Sequence, residues 1–191
     1  MSALALDLNP LGPLTHEAFY QLCVANPDIK FERTVEGELI IVSPTGGETG
    51  NRNSEINYQL RRWSKQNKQG KCFDSSTCFQ LPNGAERSPD SSWVQLERWE
   101  SLSVEQRQTF PPLAPDFVVE LRSPSDRLKK LQDKMQEYIN NGVRLGWLID
   151  PQNKRVEIYR PGQAVKVLDF PQSLSGEDVL PGFVLDLTEI F

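Results

Sequence analysis

Apolar residues recur along this chain with two periods, and the switches between them outline its elements. Ala18, Phe19, Leu22 and Cys23 share one face of a helix over 16–25, with Thr15 placed to cap it and Asn26-Pro27 to end it. The stretch 31–44 reads as a hairpin turning at Glu36-Gly37, with Leu39–Val42 as its second strand and Pro44-Thr45-Gly46-Gly47 as a break. Ile56, Leu60 and Trp63 then mark a second helix over 51–66, with Arg61, Arg62 and Lys65 on its outer face. Strands follow at about 71–74, 77–81 and 89–94, two of them joined across Pro82-Asn83-Gly84. Residues 95–115 form an excursion containing a short helical patch at 104–108 and a stop at Pro111-Pro112.

The strongest strand is 116–122. Phe117, Val119 and Leu121 fall on one face, and Asp116, Val118, Glu120 and Arg122 on the other. Ser123-Pro124-Ser125-Asp126 is placed to cap a helix reaching Asn141, with Leu128, Leu131, Met135, Tyr138 and Ile139 as its buried stripe and Gly142 as its end. Leu145–Ile149 is another buried strand, and 156–159 and 164–170 finish the sheet. A helical crossover of this length makes the strands at 116 and 145 parallel and the connection right-handed. The pattern thus predicts an α/β fold, a mixed β-sheet flanked by helices around a central βαβ crossover. It fits a single domain over 1–191 with a core from about 31 to 170, the first helix and the C-terminal tail packed on it.

Composition narrows the chemistry. At 191 residues, 38% hydrophobic and 25% charged, the chain has an ordinary globular balance and no apolar run long enough to cross a bilayer. The opening residues lack a basic segment followed by an apolar one, so a cytoplasmic location is expected. The cysteines, Cys23, Cys72 and Cys78, are odd in number and form no CxxC pair, which favours reduced thiols. His16 is the one histidine and sits at a helix start. Zinc sites of the His/Cys type and a Ser-His-Asp triad therefore lack their residues. Gly46-Gly47 has no GxxxxGK spacing, so no phosphate loop is present. The net charge of −5 argues against a general nucleic-acid binder, although a local basic patch can sit on an acidic body. A site in this chain has to be built from carboxylates, Lys, Arg, Ser and Thr.

Glu120 stands inside an otherwise apolar strand, where a carboxylate is costly unless it is paired or binds a cation. Arg122, two residues on, offers a simple ion pair. Asp90, at the start of the short strand after Ser88-Pro89, offers a second acid on a neighbouring strand. Two such acids facing the same way repel one another, and a hard dication such as Mg²⁺ would remove that repulsion.

Pro89-Asp90 followed by Glu120-Leu121-Arg122 resembles the PD-(D/E)xK signature of restriction-endonuclease-like nucleases. The wider series is more specific. PDFVVELRSPSD (115–126), Lys134 and Tyr138 on the next helix, GVRLGWLIDP (142–151), VEIY (156–159) and SPTGGETGNRNSEI (43–56) together resemble the Uma-two family of that superfamily, over about residues 15–190. The resemblance implies a restriction-endonuclease-like fold and a metal-dependent DNA endonuclease hydrolysing phosphodiester bonds, with Mg²⁺ (or Mn²⁺) held by Asp90 and Glu120. Arg122 departs from the lysine of the signature, and the resemblance points to Lys134 as its replacement, with Arg122 able to share only the charge-stabilising part of the role. Helical geometry sets Lys134 at the border of the buried stripe, within reach of the strand ends. Glu55 on the second helix is the expected third metal ligand. DNA is the implied partner, and two sites for two strands would suit a homodimer. The alternative on the same fold is a non-catalytic, DNA-associated or regulatory module.

Overall fold

The computed structural model describes residues 4–8, 10, 12 and 14–191. Its centre is strand β8 (Phe117–Leu121), helix α5 (Leu128–Asn140) and strand β9 (Leu145–Asp150), with β8 and β9 parallel and Glu120 opposite Leu148. β10 (Arg155–Tyr159) and β11 (Lys166–Asp169) extend the sheet antiparallel on one side, and β7 (Ser91–Gln95) and β4 (Gly70–Asp74) on the other. The order is β11-β10-β9-β8-β7-β4, a mixed sheet with one parallel pair.

This sheet is covered on both faces. Helix α2 (Gly47–Asn67) brings Ile56, Leu60 and Trp63 against Phe117, Val119 and Trp147, and the C-terminal tail adds Phe183 and Leu185. On the other face α5 lays Met135, Tyr138 and Ile139 on Val118 and Leu148. Each such side chain contributes about 1.5–3 kcal/mol by leaving water. Gly146 in β9 sets how closely α5 can approach, since a Cβ there would lie 2.5 Å from Met135 Cε. That closeness carries Lys134, the residue before Met135, down toward the edge of β8.

The hairpin at 31–42 does not join the mixed sheet. β2 (Lys30–Arg33) and β3 (Leu39–Val42) belong to a second, antiparallel sheet with β1 (Leu4–Leu6), β5 (Phe79–Gln80) and β6 (Glu86–Arg87), in the order β1-β3-β2-β6-β5. Helix α1 (His16–Ala25) packs on it through Phe19, with Thr15 accepting a hydrogen bond from Ala18 N as its cap. Two short helices, α3 (Leu96–Glu100) and α4 (Val104–Gln108), make up the excursion, and β12 (Ser173–Ser175) pairs with β13 (Val184–Asp186) in the tail.

Some local expectations change. α2 starts at Gly47, a full turn earlier than its apolar period shows, because its first turn carries polar residues and faces a cavity. Ser123 and Ser125 do not cap α5. Its N-cap is Arg127, without a side-chain bond, while Ser123 closes the preceding turn onto Asp126 through both its amide and its hydroxyl. His16 bonds the buried Glu86 at 2.7 Å. The three cysteines are free thiols.

Candidate active site

The two sheets leave between them a cavity of about 1430 Å³, lined in part by the first turn of α2, β2 and the edges of β7 and β8. Asp90 precedes β7. Ser91 opposes Val119, so the continued register sets Asp90 beside Glu120. Asp90 Oδ2 accepts the Leu121 amide at 2.8 Å, and its backbone carbonyl accepts from Asn57 Nδ2 at 3.1 Å. Asn53 Nδ2 stands 3.5 Å from the other carboxylate oxygen, at the limit of a hydrogen bond. The Oδ1 of Asn53 is buried and finds no hydrogen-bond partner among the described residues.

Glu120 projects from β8 on the α5 side. Lys134 and Tyr138 lie one helical turn apart, so both reach the same carboxylate. Lys134 Nζ is 2.9 Å from Glu120 Oε1, and Tyr138 Oη donates to the same oxygen at 2.9 Å. The ammonium also contacts a residue that sequence reasoning did not single out: Glu32 of β2, whose Oε1 lies 2.9 Å away. Glu32 accepts the Ser88 amide at 3.0 Å and pairs with Arg87 at 3.4 Å, and Arg87 in turn donates to Glu137 at 2.6 Å. The buried chain of charges thus runs Glu137–Arg87–Glu32–Lys134–Glu120.

Each group responds to its surroundings. Burial pushes the Glu120 carboxyl up, Lys134 pulls it back, and repulsion from Asp90 and Glu32 carries it to about 7 from an ordinary 4.5. Burial also raises Asp90, against the Leu121 amide and the attraction of Lys134. Glu32 is desolvated as well, yet Lys134 and Arg87 outweigh that and hold it at about 2. Lys134 is raised despite burial, because Glu120 and Glu32 hold its proton. Burial first, then Glu120 and Glu32, push the Tyr138 phenol well above its usual range.

A pH dependence follows. Between about 4.5 and 7 the folded chain holds a proton on Glu120 that the unfolded chain releases. Stability then falls as pH rises through that window, by about 3 kcal/mol for this group. Glu32 has the opposite sign: its contribution is complete above about 4.5 and is lost as pH falls toward 2. Urea unfolding of the metal-free protein should show lower stability at pH 8 than at pH 5, and Glu120→Gln should flatten that difference.

Two predicted residues lie elsewhere. Arg122 does not pair with Glu120. Its Nη1 is 2.7 Å from Asp150 Oδ2 and its Nε bonds the Asp126 carbonyl, which turns it off the cavity. Glu55 accepts from Gln59 at 2.9 Å, and Gln59 also binds the backbone of Asp186 in the tail. Glu55 does not line the cavity; Asn53 and Thr49 do, two and six residues nearer the start of α2. Asp116 is tied to the Gln95 amide and Arg98, a structural arrangement. Arg61, Arg62 and Lys65 are exposed. Of the tryptophans, Trp63, Trp93 and Trp147 are core, and Trp99 packs half-buried on Phe73.

A mixed sheet around one βαβ crossover, with an Asp–Glu pair from adjoining strands at its edge, is the architecture of the restriction-endonuclease-like class. The chain belongs to the Uma2 family, whose model, described as "Putative restriction endonuclease", matches residues 16–188. Among solved structures it is similar to one described as a "putative nuclease belonging to DUF820" from Anabaena variabilis ATCC 29413, at 22% identity and a TM-score of 0.78. That match covers 94% of this chain and 98% of the other. No protein of curated function matches the sequence.

Proposed function

We propose that this chain is a DNA endonuclease that hydrolyses phosphodiester bonds with a divalent cation, Mg²⁺ or Mn²⁺, held by Asp90 and Glu120. The observation that carries the reading is the pair itself: a buried Glu120 and a half-buried Asp90 side by side at the cavity, of which, among the described residues, only Glu120 has an ion-pair partner. Family membership supports nuclease chemistry. The donor set fits a hard cation, since it consists of oxygens, and an orphaned amide oxygen on Asn53 lies beside it. Among the described residues no three His, Cys, Asp or Glu side chains gather into a ready-made metal site. The expected third ligand, Glu55, is thus not part of the site, and the cation would be held by the Asp90–Glu120 pair with water and substrate phosphate completing its shell.

Bound there, the cation would supply Lewis acidity toward the phosphate and acidify water. The chain's own residues do the rest. The Leu121 amide orients Asp90, and the two donors on Glu120 Oε1 leave Oε2 for the ligand. Lys134 places a positive charge where the phosphate gains negative charge, or orients the attacking water. Arg122 takes no part in this scheme. Arg122→Gln should cost about 1–2 kcal/mol of stability, by removing the ion pair to Asp150 and leaving that carboxylate to Asn153, with no change in Mn²⁺ affinity. Unfolding and calorimetry check this.

The three free thiols suit a reducing cytoplasm, and no helix among the described residues is long and apolar enough to cross a membrane. Double-strand cutting would be served by a homodimer. The second reading, a non-catalytic DNA-associated or regulatory module, is favoured by one observation: Lys134 already neutralises Glu120. The test is cleavage of single- and double-stranded DNA with Mg²⁺ or Mn²⁺. Activity that EDTA removes supports the endonuclease; no cleavage of either substrate with either metal gives the second reading.

A further inference from the structure

Lys134 is shared between two carboxylates that come from different sheets, Glu120 of β8 and Glu32 of β2, at 2.9 Å each. A cation arriving at Asp90 and Glu120 meets this ammonium on the very carboxylate it needs. If Glu120 were the lysine's sole acceptor, cation binding would have to expel a buried positive charge, and like charges within a few ångströms in a poorly solvated site are costly. Glu32 supplies a second seat. It is buried and fixed independently of Lys134, by the Ser88 amide on Oε1 and by Arg87 on Oε2. Arg87 is itself held by Glu137. Around the lysine four carboxylates (Glu32, Asp90, Glu120 and Glu137) thus face two close cations, Lys134 and Arg87, with Lys30 acting on Glu32 and Asp90 from further off.

We infer that Glu32 is a positioning residue: it retains the Lys134 ammonium at the cavity wall when a divalent cation takes Glu120, so that lysine and cation occupy the site together. The inference rests on the metal-binding reading of Asp90 and Glu120. Glu32 touches neither the metal nor the phosphate in this scheme; it acts through Lys134. It also explains why the lysine can sit on a helix outside the strand signature, since a carboxylate of the facing sheet fixes its end point.

The test is Mn²⁺ titration calorimetry on the full chain stripped of metal, comparing Glu32→Gln in two backgrounds. With Lys134 present, Glu32→Gln should weaken Mn²⁺ binding about tenfold, because the ammonium then rests on Glu120 alone. In a Lys134→Met background the same change should cost only about twofold, the direct loss of one nearby negative charge. Glu32→Asp separates position from charge: it keeps the carboxylate and Arg87's partner but withdraws its reach by one methylene. It should weaken Mn²⁺ binding in the same direction, and it serves as the deciding variant if a melting curve shows Glu32→Gln unfolded. Equal losses in both backgrounds, or a Glu32→Asp protein that binds like the parent, overturn the inference and leave the metal site standing. A parent protein that binds Mn²⁺ no better than Asp90→Asn overturns both.

Discussion

Glu120→Gln is expected to lower metal-dependent DNA cleavage by about a thousandfold, some 4 kcal/mol of transition-state stabilisation, while the protein becomes more stable above neutral pH. The two effects have one cause. Glu120 is buried, repelled by Asp90 and Glu32, and sufficiently disfavoured as an anion to titrate near 7. Ionised without a metal, it is a liability to the fold. Glutamine has nearly the same shape, can still accept the Tyr138 hydrogen bond, and leaves Lys134 its contact with Glu32. What it loses is the charge that draws in the cation. Removing a functional group whose burial costs stability commonly stabilises a protein. Plasmid nicking with Mn²⁺ and a melting curve at pH 8 measure both halves. A variant that still cleaves within tenfold of the parent ends the assignment of Glu120. A large drop in melting temperature at pH 8 would show that the charged form is structural.

The fold was legible where one face of an element is apolar and the other is not. The period of Ile56, Leu60 and Trp63, the alternation in β8, and the stripe on α5 each follow from burial against the mixed sheet, and the length of the crossover determines that β8 and β9 run parallel. The division into two sheets was not legible. β6 has two residues, and its pairing with β2 joins Arg33 to Glu86 across more than fifty positions of sequence, a contact that no local pattern encodes. The first turn of α2 was hidden for a different reason: Gly46-Gly47-Glu48 has no apolar period because nothing packs on it, and a Cβ on either glycine would meet open space.

In the site, Asp90 and Glu120, singled out by the chemistry of paired acids, and Lys134, pointed to by the family resemblance, all line the cavity, while Arg122 and Glu55 do not join them. Spacing alone could not decide the partner of Glu120. Arg122 is two residues along the same strand, but it lies just past the end of β8 and finds Asp150 at the end of β9, whereas Lys134 descends from the helix above. Glu32 carried a weak signal, an acid next to the buried Phe31 in a strand. Its neighbour Arg33 offered an apparent partner and concealed it, yet Arg33 turns instead to Glu86.

Lys134→Met should reduce cleavage about a hundredfold, at the lower end of what a positioned proton-transfer or charge-stabilising group contributes, without weakening Mn²⁺ binding. The ammonium stands beside the acids that would hold the cation, so its field opposes the metal even as it serves the phosphate. Deleting it should tighten the metal and slow the chemistry. Stability should move the other way from Glu120→Gln: without Lys134, Glu32 keeps only Arg87 and the Ser88 amide, Glu120 keeps only Tyr138, and the metal-free fold weakens. Saturating Mn²⁺ should restore much of that loss, because a ligand that binds the folded chain alone stabilises it by mass action. Lys134→Arg sharpens the distinction. Its guanidinium can bridge Glu32 and Glu120 and recover the stability, but it holds its donors in a rigid planar fork where the lysine presents a compact, rotatable ammonium. If arginine restores the rate as well, Lys134 acts through its charge alone; if it restores only the fold, the lysine also orients a water through its compact ammonium. Cleavage by Lys134→Met at the parent rate would remove the lysine from the mechanism and leave the two acids to act without it.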